Sequence, residues 1–158
     1  MLRWSFAIVT AAAALALGAV IAQCSNPPDS GESGPALLFG ADETAQLLPG
    51  TWLREYAQDG VRVRRLLTLQ PKGGFQEVAR VTGRDGQVTQ FVHEGTWVFD
   101  GTNLKRRYTS MNGDPPSRLH VPFATFAIVF ETRNEFTGVD HVHDVTVHYR
   151  RVADGTEP

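Results

Sequence analysis

From residue 50 onward the chain alternates apolar and polar side chains. Val61, Val63, Leu67 and Leu69 fall on one side of an extended segment, and Arg62, Arg64 and Thr68 on the other. Val145, Val147 and Tyr149 alternate with Thr146, His148 and Arg150 in the same way. A period of two belongs to a strand with one face in a core and the other in water. Asp59-Gly60, Gly73-Gly74, Asp85-Gly86, Asp100-Gly101 and Asn112-Gly113 interrupt the pattern at short, regular intervals. Such pairs take the positive-φ turns that join antiparallel strands. The pattern predicts strands over 50–56, 61–70, 75–82, 88–99, 104–111, 124–131, 135–139 and 145–152. Ahead of them, residues 41–48 predict one short helix, with Asp42 as N-cap and Pro49 as its stop. Leu37, Leu38 and Phe39 form a small apolar patch before it.

About eight short strands linked by hairpins must hide their edges, and closure does this completely. The predicted class is therefore all-β, an antiparallel up-and-down β-barrel with one short N-terminal helix. A two-sheet β-sandwich is the competing arrangement. The one long connection, 112–122, holds Pro115, Pro116 and Pro122 and is expected to form a lid at one barrel end.

The first thirty residues follow another pattern. Arg3 is the single charged side chain among residues 1–23, and 6–22 is apolar apart from Thr10. This is the layout of a secretory signal peptide. The run also approaches the ~20 residues that span a bilayer, so an uncleaved anchor is an alternative. The lone cysteine, Cys24, has no partner for an internal disulfide. The segment Ile21-Ala22-Gln23-Cys24 resembles a bacterial lipobox, with Gln23 where Gly, Ala or Ser usually stands. The resemblance implies that Cys24 is lipidated and becomes the mature N-terminus, and Ser25 after it resembles the outer-membrane sorting pattern. Cleavage after Ala22 would give a secreted protein instead. Residues 24–36 are polar and rich in Pro, Gly and Ser, which is the composition of a flexible tether. The β domain is expected over 37–153 and a disordered tail over 154–158.

The 158-residue chain carries a formal charge of −2, with 42% hydrophobic and 20% charged residues. That balance excludes wholesale disorder and argues against a nucleic-acid partner.

Gly50-Thr51-Trp52 opens the first strand after the short helix, and the last strand ends in Tyr149-Arg150-Arg151-Val152. This arrangement resembles the lipocalin-type barrel, in which a tryptophan at the first strand packs under an arginine from the barrel's end. The resemblance makes Gly50, Trp52 and either Arg150 or Arg151 a structural motif at the barrel floor. The Thr-Asp-Tyr turn of that family is absent, and the domain is short for it. Gly95-Thr96-Trp97 repeats the tripeptide without its surroundings, as a glycine bending a long strand would.

Candidate chemistry is sparse. His93 shares a strand face with Phe91, Trp97 and Phe99, where it either takes one core hydrogen bond or lines a ligand cavity. Arg65 interrupts an apolar face, with Glu131 as a candidate counter-charge, since a stranded buried charge costs several kcal/mol. His93, Trp97, Arg65 and Glu131 are thus the candidate ligand-binding residues. His141 and His143 would point to one side if 140–144 were extended, and with His120 would offer zinc or copper ligands; the alternative is a polar hairpin turn. Lys105-Arg106-Arg107 reads as a solvated strand edge. Glu94, Glu131 and Glu135 show no spacing that selects an acid–base pair, and no nucleophile elbow or phosphate loop occurs. The expectation is a non-enzymatic protein without a cofactor, in the bacterial cell envelope, held to a membrane by acylated Cys24 and facing the periplasm. Its barrel would bind a small apolar ligand. The alternative is a protein-binding module, an inhibitor or accessory subunit of an envelope complex, acting through its loops.

Overall fold

The computed structural model describes residues 39–117, 122–141 and 143–158. The expected signal peptide, Cys24, the tether, Leu37, Leu38 and His120 lie outside the described residues, as does part of the expected lid.

Helix α1 (Ala41–Leu47) leads into β1 (Gly50–Gln58), β2 (Val61–Leu69), β3 (Gly74–Thr82) and β4 (Val88–Phe99). β5 (Asn103–Met111), β6 (Phe123–Thr132), β7 (Glu135–Asp140) and β8 (Val145–Val152) follow. Every strand pairs with its sequence neighbour, and β8 returns to β1, so the sheet is a closed up-and-down barrel of eight antiparallel strands. The sandwich alternative is excluded. Asp59 and Asn112 adopt positive φ ahead of Gly60 and Gly113, which also do, as hairpin turns with matching twist require.

The helix starts two residues earlier than the aspartate suggested. Gly40 occupies the N-cap without a side-chain hydrogen bond, and Asp42 lies with Glu43 in the first turn. There both carboxylates face the positive end of the helix dipole.

Inward-facing residues near the helix end make one apolar cluster that includes Leu48, Trp52, Leu67, Phe75, Leu104, Phe130 and Phe136. Trp52 sits edge-on to Phe130 and Phe136, with centroids 5.6 and 4.8 Å away. Two outward residues break the alternation: Leu53 and Leu66 are neighbours across β1 and β2, yet are 1% and 5% exposed. The C-terminal segment accounts for them. Thr51 donates to Asp154 Oδ1 (2.7 Å) on one side of this row, and Arg64 Nε donates to the Glu157 carbonyl (3.2 Å) on the other.

The barrel wall is uneven. β1 and β2 are joined by nine residue pairs, whereas β1 meets β8 in only three, 51–53 with 150–152. Beyond Leu53 the β1–β2 hairpin continues without a partner on its β8 side. Gly95 sits at a bulge between β4 and β5, where a Cβ would lie 2.0 Å from the Arg107 carbonyl oxygen. Only glycine permits that approach.

Candidate functional site

The site is built on the floor of the barrel. Trp52 is fully buried and its Nε1 donates to the Leu48 carbonyl at 2.8 Å. Arg151, opposite it in register, holds its guanidinium 4.2 Å from the ring centroid. The same guanidinium donates to the carbonyls of Pro49 (3.0 Å) and Leu47, tying β8 to the end of α1. Partial burial pushes the Arg151 pKa below its ordinary value. A Cβ on Gly50 would stand 2.2 Å from Arg151 Nη1, and its φ of 137° disfavours other residues. Arg151 therefore plays the role that the sequence left open between two arginines. Arg150 points outward to Glu55 Oε2 at 3.2 Å.

Directly above this floor the lining changes from hydrocarbon to charge. Glu77 on β3 is 1% exposed and receives two arginines: Arg106 Nη1 lies 2.6 Å from Oε2, and Arg65 Nη1 lies 3.1 Å from Oε1. His93 Nδ1 is 3.6 Å from Oε1, longer than a hydrogen bond. The Arg106 guanidinium is ringed by Phe75, Tyr108 and Phe126 at 5.4 to 5.7 Å, so aromatic faces replace part of its lost hydration.

Burial opposes ionisation throughout this layer, and pairing overrides it. Desolvation alone would raise the Glu77 pKa, but the Arg106 and Arg65 guanidiniums hold it far below the usual carboxylate range. Desolvation likewise works against Arg65 and Arg106, and Glu77 reverses it, keeping both firmly charged. Burial pushes the Tyr108 and Tyr149 hydroxyls up. The charges do not cancel, since two guanidiniums share one carboxylate. The Nε atoms of Arg65 and Arg106 are buried and have no acceptor among the described residues.

Room is distributed unequally along the barrel. Between α1 and β6 a cavity of about 130 Å³ is lined by Phe39, Phe99, Ile128 and Phe130. At the opposite end a cleft of about 290 Å³ lies against Tyr56, Val61 and Val63. Val61, Val63 and Arg65 are successive inward positions of β2, so this apolar cleft leads toward the charged layer.

Of the candidate ligand-binding residues, Arg65, His93 and Trp97 share the barrel interior. Trp97 stands opposite Arg106 in register and donates Nε1 to the Gln70 carbonyl at 3.0 Å. Glu131 does not join them. It lies on the outer wall, bonded to the Thr137 hydroxyl and 3.7 Å from His148 Nδ1, so the counter-charge to Arg65 is Glu77. His141, His143 and Asp144 are not part of the extended strand that would align two histidines. β7 ends at Asp140, whose Oδ2 lies 2.7 Å from His143 Nδ1 within a turn, and His141 is exposed. No group of three His, Cys, Asp or Glu among the described residues is arranged to hold a metal ion.

Sequence reasoning missed Glu77 and Arg106. Lys105-Arg106-Arg107 was expected to be a solvated edge, but β5 is an interior member of a closed wall. Lys105 and Arg107 face out, whereas Arg106 faces in and is 3% exposed. The signal was present in parity. Glu77 alternates with Phe75 and Ala79, and Arg106 with Leu104 and Tyr108, all inward positions.

No family model matches the chain, and no curated protein matches it in sequence.

Proposed function

We propose that the barrel is a non-enzymatic binding protein for a small amphipathic ligand with an apolar body and an anionic head. The observation that carries this reading is the unbalanced charge inside the barrel: Arg65 and Arg106 converge on the single carboxylate of Glu77, and each keeps a buried Nε without an acceptor among the described residues. A carboxylate or similar head entering between them restores neutrality and accepts those donors. The cleft at Tyr56, Val61 and Val63 receives the apolar body, along a face that runs to Arg65. The likeness of Gly50, Trp52 and Arg151 to the lipocalin-type floor supports the same class of activity. The lipobox-like segment ending at Cys24 supports an address in the bacterial envelope, with acyl chains holding the protein to a membrane.

Titration with dodecanoate and with dodecanol, followed by Trp97 fluorescence, tests the reading. Dodecanoate is expected to bind about tenfold more tightly or better, because a charge-assisted bond is lost in the alcohol. Arg106→Met is expected to abolish that preference while leaving alcohol binding intact. Equal affinity of acid and alcohol for the wild-type chain would refute a charged head site. Cys24→Ala tests the address: the variant is expected to leave the membrane fraction, and its retention there would remove acylation as the anchor.

A further inference from the structure

A second arginine cluster lies on the outside of the barrel, made of side chains other than those of the interior one. Glu55, Arg64 and Arg80 stand in one row across β1, β2 and β3, and Arg62 occupies the next row between Ala57 and Thr82. Arg64 and Arg80 are direct cross-strand neighbours, an arrangement that repels and weakens a sheet. Glu55 is the acid of that row, and it is shared: Arg64 Nη1 lies 2.7 Å from one oxygen and Arg150 Nη2 3.2 Å from the other. Arg62 and Arg80 are exposed, and neither has a carboxylate partner among the described residues. Arg64 is also held in place by the Glu157 carbonyl. The chain as a whole is −2, so this excess of positive charge is local.

The patch is concave. Arg62, Arg64 and Arg80 border a groove of about 450 Å³ against Tyr56, Ala57 and Val63; Glu55, whose carboxylate is held by Arg64 and Arg150, and Pro158 share its lining. A groove of this size fits a compact headgroup beside apolar atoms. Guanidiniums from several directions suit a tetrahedral oxyanion, which accepts hydrogen bonds on every side. We propose that this groove binds a phosphate group carried on a small polar body, either a glycerophospholipid headgroup or a soluble phosphomonoester. Arg62 and Arg80 supply the uncompensated charge, and Arg64 is the pre-oriented third donor.

Phosphorus NMR titrations of the full chain in neutral detergent test this, with glycerol 3-phosphate and dihexanoyl phosphatidylglycerol as probes and dihexanoyl phosphatidylcholine as the zwitterionic control. Saturable binding of at least one anionic probe is expected, weakening with added salt and falling about tenfold or more in Arg62→Gln/Arg80→Gln. Preference for glycerol 3-phosphate assigns the groove to a soluble ligand, and preference for the phosphatidylglycerol assigns it to a headgroup. Near-ultraviolet circular dichroism of the double variant, whose substituted side chains are exposed, confirms an unchanged fold. No saturable binding of either anionic probe, or equal binding by the double variant, overturns the proposal. These variants leave Arg65 and Arg106 untouched, so the outcome is independent of the interior reading.

Discussion

Glu77→Gln is the most informative single change in the interior. The substitution keeps the shape of the side chain and removes one negative charge that is 1% exposed and contacts both Arg106 and Arg65. Arg106, 3% exposed, and Arg65, 26% exposed, then face a neutral amide. Removing one partner from a buried ion pair typically costs about 3–5 kcal/mol, chiefly because the remaining charge is stranded. The value here belongs near the upper end, because two cations are left rather than one, and is moderated by the rings around Arg106. Denaturant unfolding followed by tryptophan fluorescence measures it directly. A change below about 1 kcal/mol, the scale of an exposed pair, would refute the account of a desolvated charge layer.

The pH dependence of the same pair of proteins gives an independent check. The folded-state pKa of Glu77 lies well below its ordinary value of 4.5. Between those two values the unfolded chain binds more protons than the folded one, so stability rises with pH there. The contribution of Glu77 is therefore complete above about pH 5 and is lost as pH falls toward the depressed value, with a slope approaching about 1.4 kcal/mol per pH unit. Wild type and Glu77→Gln are expected to differ at neutral pH and to converge in acid. A difference that stays constant down to pH 2 would mean that Glu77 has the same pKa in the folded and the unfolded chain.

Further predictions follow from the floor and the wall. Arg151→Met is expected to lose about 1–3 kcal/mol, through its hydrogen bonds to the Leu47 and Pro49 carbonyls and its place over Trp52, with a red shift of tryptophan emission. Unchanged emission would show that Arg151 does not shield that ring. Gly95→Ala is expected to cost about 2–4 kcal/mol, since its Cβ would meet the Arg107 oxygen at 2.0 Å. Thermal unfolding indistinguishable from wild type would show that the bulge relaxes freely.

Most of the fold was legible because strand period and hairpin turns are local signals. Val61–Leu69 reads as half-buried from its own alternation, and Asp59-Gly60 announces the turn that precedes it. The C-terminal cover over Leu53 and Leu66 was not legible, because burial of an outward leucine depends on a segment about a hundred residues away in sequence. The tryptophan floor was legible in part. Gly50 and Trp52 mark it, but the choice between Arg150 and Arg151 depends on barrel register, which only pairing with β1 fixes. The charged layer needed three strands at once. Arg65 stood out on an apolar face, whereas its true partner was one of several acids, distinguishable only when β2 and β3 are aligned so that Leu67 opposes Glu77.

The placement of that layer separates stability from function within one small barrel. The apolar cluster beneath it already fills the helix end, and Arg151 ties β8 to the end of α1 over the Trp52 ring, so the charged groups are not needed to seal the barrel. Apolar side chains of similar volume in place of a buried ionic triad are often as stable or more so. On that ground Arg65→Met/Glu77→Leu/Arg106→Met is expected to fold at least as stably as wild type while losing preference for an anionic head. A triple variant that unfolds would assign the layer to stability. A stable one that no longer distinguishes dodecanoate from dodecanol would assign it to recognition, because the variant replaces the charged layer at the end of the apolar cleft and keeps the fold.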